Sequence, residues 1–322
     1  MRRNLSGVDL FSGGGGFSRG FIEEGFNILL GIDNERSAAR TYVANFPEVT
    51  VLAEDIRDIS CREIREIIGR NTVDVVIGSP PCEPFTGANP ARMPKPLDRL
   101  YKDPAGRLVL EFIRFLECLT PKVYIMENVP ALTEGELTDA LRNEFRRAGY
   151  EAHFNILRAQ DYGTPSRRVR VFVSNLRLSP PKTREKIRVI DAIGDLPEPE
   201  EDPVIPNHDP PPRLSKRKMK RVMRTSWGRS AITYEGAHGR RLPNFIRLDP
   251  YRLAPTVLGS SRFIHPFENR LLTVREQARL MGYPDNHVFL GGKDEQYNQV
   301  GESVPPPLAK ALAREVLKYL EV

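Results

Sequence analysis

Between residues 6 and 174 the chain alternates short apolar runs with segments whose apolar residues recur at helical spacing, and this alternation constrains the fold more than any other feature. Strands are expected at 6–11, 27–33, 49–53, 73–77, 123–126, 151–157 and 169–174, and helices at 17–24, 36–45, 61–68, 108–118 and 137–147. Runs such as 123–126 show no polar–apolar alternation, which is the pattern of strands covered on both faces. Strands separated by helices predict an α/β fold, a doubly wound and mostly parallel sheet.

The texture changes after Asn175. Pro180, Pro181, Pro197, Pro199, Pro203, Pro206 and Pro210 to Pro212 crowd one stretch, and helical spacing returns only at 274–281 and 307–320. The expected organisation is a catalytic and cofactor-binding domain over 1–178, a smaller loop-rich domain over 179–272, and a segment over 273–322 that returns to the first. Net charge is +6, compatible with a polyanionic partner, but its distribution says more. Arg213, Lys216, Arg217, Lys218, Lys220, Arg221 and Arg224 cluster ahead of Trp227 and Arg229. Such a run is either a solvated face or a phosphate-binding surface. No apolar run approaches membrane-spanning length and the N-terminus has no signal-peptide core, so a cytoplasmic protein with no membrane partner is expected. Cys61, Cys82 and Cys118 are odd in number and widely spaced, so a disulfide framework is not expected. No Cys-x-x-Cys or His cluster suggests a metal.

Ends of the expected strands deliver chemically useful groups. The first runs into Phe11-Ser12-Gly13-Gly14-Gly15-Gly16-Phe17, where glycines let backbone amides approach a ligand at a helix start. Ser18 stands where Gly-x-Gly-x-x-Gly would need its third glycine, which disfavours a pyrophosphate. A cofactor with an adenosine and a carboxylate but no phosphate fits better, and S-adenosylmethionine is the common one. Asp33 closes the second strand about 20 residues on, where an acid accepts from ribose hydroxyls, and Asp55 closes the third, placed for an adenine amino group. The fourth ends in Ser79-Pro80-Pro81-Cys82; two prolines stiffen the loop and aim the thiol at the crevice beyond the strand ends. A lone cysteine there is as readily a small hydrophobe as a nucleophile. Its company decides: the next strand delivers Glu127, and Arg168 and Arg170 share one face of another strand by two-residue alternation.

Phe11-x-Gly-x-Gly, Pro80-Pro81-Cys82, Glu127-Asn128-Val129, Arg168-x-Arg170 and Gln299-Val300-Gly301-Glu302-Ser303-Val304 resemble, in order and spacing, the motifs of the cytosine-5 DNA methyltransferases of prokaryotic type. Leu253-Ala254-Pro255-Thr256-Val257 and Arg275 to Asp285 are similar to that family's late motifs. The likeness covers the chain except roughly 180–250, where the family keeps its variable target-recognition region. Glu83, Thr86 and Glu302 depart from the pattern, standing where Gln, Ser and Asn are usual.

The resemblance implies an S-adenosylmethionine-dependent methyltransferase fold with a target-recognition domain. It implies methyl transfer to the 5-carbon of cytosine in a specific double-stranded DNA sequence, through a covalent Cys82 adduct on a flipped-out base. Glu127 would hold the ring nitrogen and amine, while Arg168 and Arg170 would favour the thiolate and hold the base oxygen or a phosphate. Phe11, Gly13, Gly15, Gly16, Phe17, Asp33, Asp55, Ile56, Pro80, Glu302, Ser303 and Val304 would hold the cofactor. The basic run would contact phosphates through Arg213, Lys216, Arg217, Lys218, Lys220, Arg221 and Arg229. A monomer is expected, in a restriction-modification system beside a cognate endonuclease acting on the same site. The alternative is a tRNA cytosine-5 methyltransferase, which typically carries Cys-Phe-Thr in its target region; no cysteine follows Cys118 here.

Overall fold

The computed structural model describes residues 5–320. Seven strands, β1 (Ser6–Leu10), β2 (Asn27–Ile32), β3 (Thr50–Leu52), β4 (Val75–Gly78), β5 (Val123–Asn128), β6 (His153–Arg158) and β7 (Val169–Ser174), form one sheet in the order β3-β2-β1-β4-β5-β7-β6. β1 to β5 run parallel, and β7 pairs antiparallel with β5 and β6. β1, β4 and β5 are buried along their whole length, as their unalternated apolar runs require. The chain leaves β1 towards β2 on one side and resumes at β4 on the other. The C-terminal ends of β1 and β4 therefore flank the switch point where open sheets bind ligands.

Helices α1 (Gly16–Glu23), α2 (Arg36–Asn45), α3 (Cys61–Ile68), α4 (Pro96–Tyr101), α5 (Leu108–Leu119) and α6 (Leu137–Arg147) belong to this half. On one sheet face Ile64, Phe112, Phe115, Leu141 and Phe145 form a core, with Phe145 stacked on Tyr124 at 4.8 Å. Phe17 and Phe21 pack on the other face with Leu308, Leu312 and Val316 of the last helix. Cys61 and Cys118 are joined in a disulfide with Cα atoms 5.4 Å apart, which corrects the expectation of none. The reason is tertiary: α3 and α5 lie side by side on the sheet, so residues 57 apart in sequence meet.

Beyond the sheet come α7 (Val189–Ile193), α8 (Lys216–Met223), β8 (Ser230–Glu235), β9 (Arg241–Arg247), β10 (Phe263–Ile264), α9 (Val274–Leu280), α10 (Lys293–Glu302) and α11 (Pro306–Leu320). β8 and β9 form an antiparallel hairpin and β10 adds parallel to β9. The basic run is thus a helix, α8, where spacing showed only charge. Ser215 Oγ accepts the Lys218 N–H at its start, and Arg247 donates to the carbonyls of Val222 and Thr225 at its end. The last 50 residues divide between two cores. α9 and α10 contribute Ala278, Tyr297 and Val300 to a cluster with Val189, Leu248 and Val257, whereas α11 packs on α1. Among the described residues no helix is long and apolar enough to cross a membrane.

Gly20 marks the closest approach of α1 and α11: a Cβ there would collide with the Lys310 backbone nitrogen and the Ala309 Cβ. In an open helix Gly→Ala stabilises by about 1 kcal/mol. Here overpacking against backbone reverses the sign, and Gly20→Ala should lower stability by about 1–3 kcal/mol in urea denaturation. An unchanged or raised midpoint would mean the two helices part without cost.

Candidate active site

A cavity of about 290 Å³ opens at the switch point. Its walls come from residues 11–17 after β1, 33–38 after β2, 79–83 after β4, Glu127 of β5, and 295–304 of α10 and its C-terminal turn. Phe11, Gly13, Gly14, Gly16, Phe17, Pro80, Glu302, Ser303 and Val304 line it. Positive φ at Gly13 (52°) and Gly15 (84°) turns the loop between β1 and α1. Gly15 does not line the cavity; it faces Phe46, whose ring a Cβ would strike.

Of the two acids placed by sequence, Asp33 borders the cavity with both oxygens in use, accepting from Gly13 N at 2.7 Å and Glu35 N at 2.9 Å. Burial nevertheless raises its pKa. Glu35, which the sequence reading passed over, also borders the cavity; its side chain caps α2 at Ser37 N. Asp55 and Ile56 are not among the lining residues. Arg57 engages Asp55 through Nε and a terminal nitrogen, holding its carboxyl down to about 2.

Six lining residues carry carboxylates (Asp33, Glu35, Glu83, Glu127, Glu295 and Glu302), and none is Lys or Arg. Such a wall repels phosphate and suits a ligand bearing positive charge. Ser12 borders the same space, and its Oγ is buried without a protein partner. Burial of the Glu302 carboxyl, with Glu83 and Asp33 facing it, pushes its pKa up to about 7.

Cys82 stands at the cavity's edge; its carbonyl accepts from the N–H groups of Phe85 and Thr86, both at 3.0 Å, in a tight turn. Asn128 Nδ2 donates to Pro80 O at 3.1 Å, tying the loop to the end of β5. Glu127 and Arg170, both almost fully buried, form an ion pair at 2.9 Å. Arg168 points elsewhere: it is buried, donating at 2.8 Å to the carbonyls of Val257 and Gly301. The Cys82 thiol is pushed up to about 12 by burial and then by Glu83, against the opposing pull of Arg170. The arginines thus do not make a standing thiolate; desolvation and a neighbouring carboxylate outweigh them.

Behind the glycine loop lie two supports that have no local sequence signal. Asp9 Oδ2 accepts from Ser18 Oγ at 2.6 Å, which accepts from Tyr42 OH at 2.6 Å, and burial raises Asp9 to about 7. His287 reaches the loop from 273 residues away, its Nε2 lying 2.8 Å from Gly14 O. Arg19 can only donate, and it faces Nδ1 at 3.0 Å, so Nε2 carries the hydrogen and donates to Gly14. Burial, then Arg19, pushes His287 down to about 3 and keeps it neutral.

Arg213, Lys216, Arg217, Lys218, Lys220, Arg221 and Arg229 are all exposed, and among the described residues none pairs with a carboxylate. α8 packs through Val222 on Phe245 of β9, with Lys218 Nζ 5.7 Å from that ring.

The profile of the C-5 cytosine-specific DNA methylases matches residues 5–318. A chain of Methanocaldococcus jannaschii assigned to the type II methyltransferases is 48% identical over 317 residues, covering 97% of this chain and 99% of that one. A type II methyltransferase of Haemophilus parahaemolyticus is 36% identical, covering 98% of this chain and 87% of its own length. A solved structure described as a DNA modification methyltransferase from an E. coli prophage shares the fold with a TM-score of 0.79 at 24% identity, covering 99% of this chain and 100% of that one.

With Cys61 and Cys118 joined, Cys82 is the free thiol. At about pH 8 its alkylation by iodoacetamide should be much slower than that of an exposed cysteine, because a thiol near 12 is almost wholly protonated. Glu83→Gln should speed alkylation several-fold by removing the repelling charge. Equal rates for the two proteins would rule out Glu83 as a cause of the raised pKa.

Proposed function

The chain belongs to the C-5 cytosine-specific DNA methylase family, and from that premise we propose a covalent mechanism run by Cys82 on a cytosine swung out of a specific duplex sequence. The enzyme is a DNA (cytosine-5-)-methyltransferase whose methyl donor is S-adenosylmethionine. The residues fit that donor: carboxylates are the only charged groups that line the cavity and would suit its cationic sulfonium, and Gly13 leaves open space where a side chain would intrude. We assign Phe11, Gly13, Gly14, Gly16, Phe17 and Ser303 to the bound molecule's surroundings, with Glu35 and Asp33 near its sugar. Bound there, it supplies an electrophilic methyl group.

The observation that carries the mechanism is that Cys82 and Glu127 share one cavity with the glycine loop. The 5-carbon of cytosine is a weak nucleophile until the ring's aromaticity is broken. Cys82 Sγ adds to the adjacent 6-carbon, its proton leaving to water as the bond forms. The Glu127 carboxylate, held by Arg170, passes that proton from water to the ring nitrogen and so offsets the charge that addition creates. A resting thiol with a raised pKa means that addition must be concerted with this neutralisation rather than start from a stored thiolate. Once the 5-carbon carries the methyl group, its proton leaves to water, Cys82 is expelled as a thiol that takes back the ring-nitrogen proton by way of Glu127, and the ring is restored. Arg168 acts in this scheme as a positioning residue, holding β7 to the loops beyond it.

The target atom is stacked inside a duplex, so the base must be flipped out at a cost of about a few kcal/mol. Contacts between phosphates and the cations of α8 offset that cost and carry no sequence information. We further propose a monomeric, cytoplasmic enzyme that protects the sites of a cognate endonuclease.

Cys82→Ser should abolish transfer of labelled methyl groups to DNA while leaving calorimetric binding of S-adenosylmethionine near the parent's, because a hydroxyl is far less ionised than a thiol. Duplexes with fluorine at the cytosine 5-carbon cannot lose the 5-proton and should leave the parent in a denaturant-resistant adduct that the variant never forms. Near-normal transfer by the variant would remove Cys82 from the mechanism.

Replacing Lys216, Arg217, Lys218 and Lys220 with Ala should weaken binding to any duplex and flatten the salt dependence of affinity, since each neutralised phosphate releases counterions. The methylated sequence should not change. An unaltered salt slope would make α8 an ordinary solvated surface.

A further inference from the structure

Of the six carboxylates that line the cavity at the switch point, four are already committed. Glu127 pairs with Arg170, and Asp33 accepts from Gly13 N and Glu35 N. Glu35 caps α2 at Ser37 N, and Glu295 Oε2 accepts the Gly292 N–H at the start of α10. Glu83 and Glu302 remain. Among the described residues neither carboxylate accepts a hydrogen bond or pairs with a cation. Both also depart from the motif pattern, placing an acid where a neutral amide is usual. The fold brings the two departures together. After burial, the Glu83 charge does most to raise the Glu302 carboxyl to about 7; Asp33 adds to it and Arg168 opposes it.

Their place in the cavity gives this charge a meaning. Glu83 follows Cys82 directly, and Glu302 faces it from the end of α10. The carbon that accepts the methyl group neighbours the carbon that Cys82 bonds. The donor's sulfur must therefore come close to Cys82 at transfer, whatever the pose of the rest. Transfer alters that end of the molecule alone. The methyl group forms its bond to the 5-carbon, the electron pair of the broken sulfur–carbon bond stays on sulfur, and a cationic sulfonium becomes a neutral thioether. Free carboxylates attract the first and are indifferent to the second, whereas a pair of neutral amides would tell them apart by shape only.

We infer that Glu83 and Glu302 form a charge pair by which this enzyme selects S-adenosylmethionine over its spent product, S-adenosylhomocysteine. The inference rests on the donor assigned above and adds which residues set selectivity at that site. Both residues keep solvent-exposed surface, so their charges are screened. A unit charge about 6 Å from another in a nearly aqueous dielectric changes affinity about threefold, and two such charges about tenfold. The product then leaves more readily than the donor, which suits an enzyme that must exchange one for the other after every transfer. The penalty falls on Cys82, whose thiol Glu83 helps to keep protonated.

The test is calorimetric binding of S-adenosylmethionine and of S-adenosylhomocysteine at pH 8, above the Glu302 value of about 7, so that both carboxylates are ionised. The parent should bind the donor about tenfold more tightly than the product. Glu83→Gln and Glu302→Gln should each cut that ratio about threefold, and the double variant should bring it near unity by weakening the donor alone. If the variants fail to fold, salt decides on the parent: raising it should shrink the ratio, because ions screen charge and leave shape untouched. A parent that binds the product as tightly as the donor, a ratio unchanged in the double variant, or a ratio indifferent to salt would each overturn the inference. A parent that binds neither molecule would overturn the donor assignment instead.

Discussion

One guanidinium holds the two halves of this molecule in register. Arg168, the residue before β7, donates to Val257 O, in the loops beyond β9, and to Gly301 O, near the end of α10. It is buried, and burial lowers its pKa, so the charge is tolerated only because carbonyl oxygens that would otherwise lack partners converge on it. Gly301 admits this convergence, since a side chain there would strike the backbone of Leu258 and Gly259. Arg247 and Arg275 repeat the device. Arg247 gathers Val222, Thr225, His265 and Glu268 carbonyls, and Arg275 gathers those of Pro206, Pro284 and His287. A region with few strand ladders leaves many carbonyls unmatched, and arginine, with five donors on a rigid fork, satisfies several at once.

That register decides the electrostatics of the active site. The cavity is assembled from segments separated by most of the chain, and α10 contributes Glu295 and Glu302 to a wall already bearing Asp33, Glu35, Glu83 and Glu127. A negative wall favours a sulfonium but opposes a thiolate, so a cationic donor and an ionised Cys82 would make contrary demands on one space. The structure settles them by letting the wall win: the Cys82 thiol rests near 12, and Arg170 is committed to Glu127. In the proposed mechanism the thiol would therefore gain nucleophilicity only when a base occupies the site and Glu127 can relay its proton to the ring. A resting enzyme with a protonated thiol is also spared adventitious oxidation, which tracks thiolate character.

The sequence made the sheet legible because its elements are local. Helices at 36–45, 61–68 and 137–147 match α2, α3 and α6 residue for residue, their amphipathic spacing carrying the signal without help. α8 and α10 were not legible. The first has an apolar face of little more than Val222, and the second buries Gln299 and Gly301 beside only Tyr297 and Val300, so both depend on tertiary partners. The same distinction governs the site. Cys82 and Glu127 sit at strand ends that periodicity locates. Asp33 and Glu35 differ by two residues, and only the loop's hydrogen bonds show that the first is spent on Gly13 N and Glu35 N. Asp55 looked equivalent to Asp33 until Arg57 was seen to claim it. His287 and the pairing of Cys61 with Cys118 lie beyond any local signal, since each partner is recognised only once the chain has closed.

A hydrogen bond ties the loop that carries Cys82 to the β8–β9 hairpin. From Cys82 the chain turns through Phe85 and Thr86, whose N–H groups bond the Cys82 carbonyl, and reaches Gly87, whose own carbonyl accepts from Ala237 in the hairpin turn. Farther along, Arg92 donates to Phe85 O and pairs with Glu134, which also holds Arg99. A loop pinned at both ends by such bonds cannot set the thiol independently of the hairpin. A displacement of the hairpin must therefore also displace Cys82, and a reacting atom misplaced by about 1 Å costs roughly a hundredfold in rate. Non-cognate duplex is in vast excess over any one site, so an enzyme that holds DNA by phosphate contacts, as proposed for α8, gains from a thiol whose placement depends on more than those contacts.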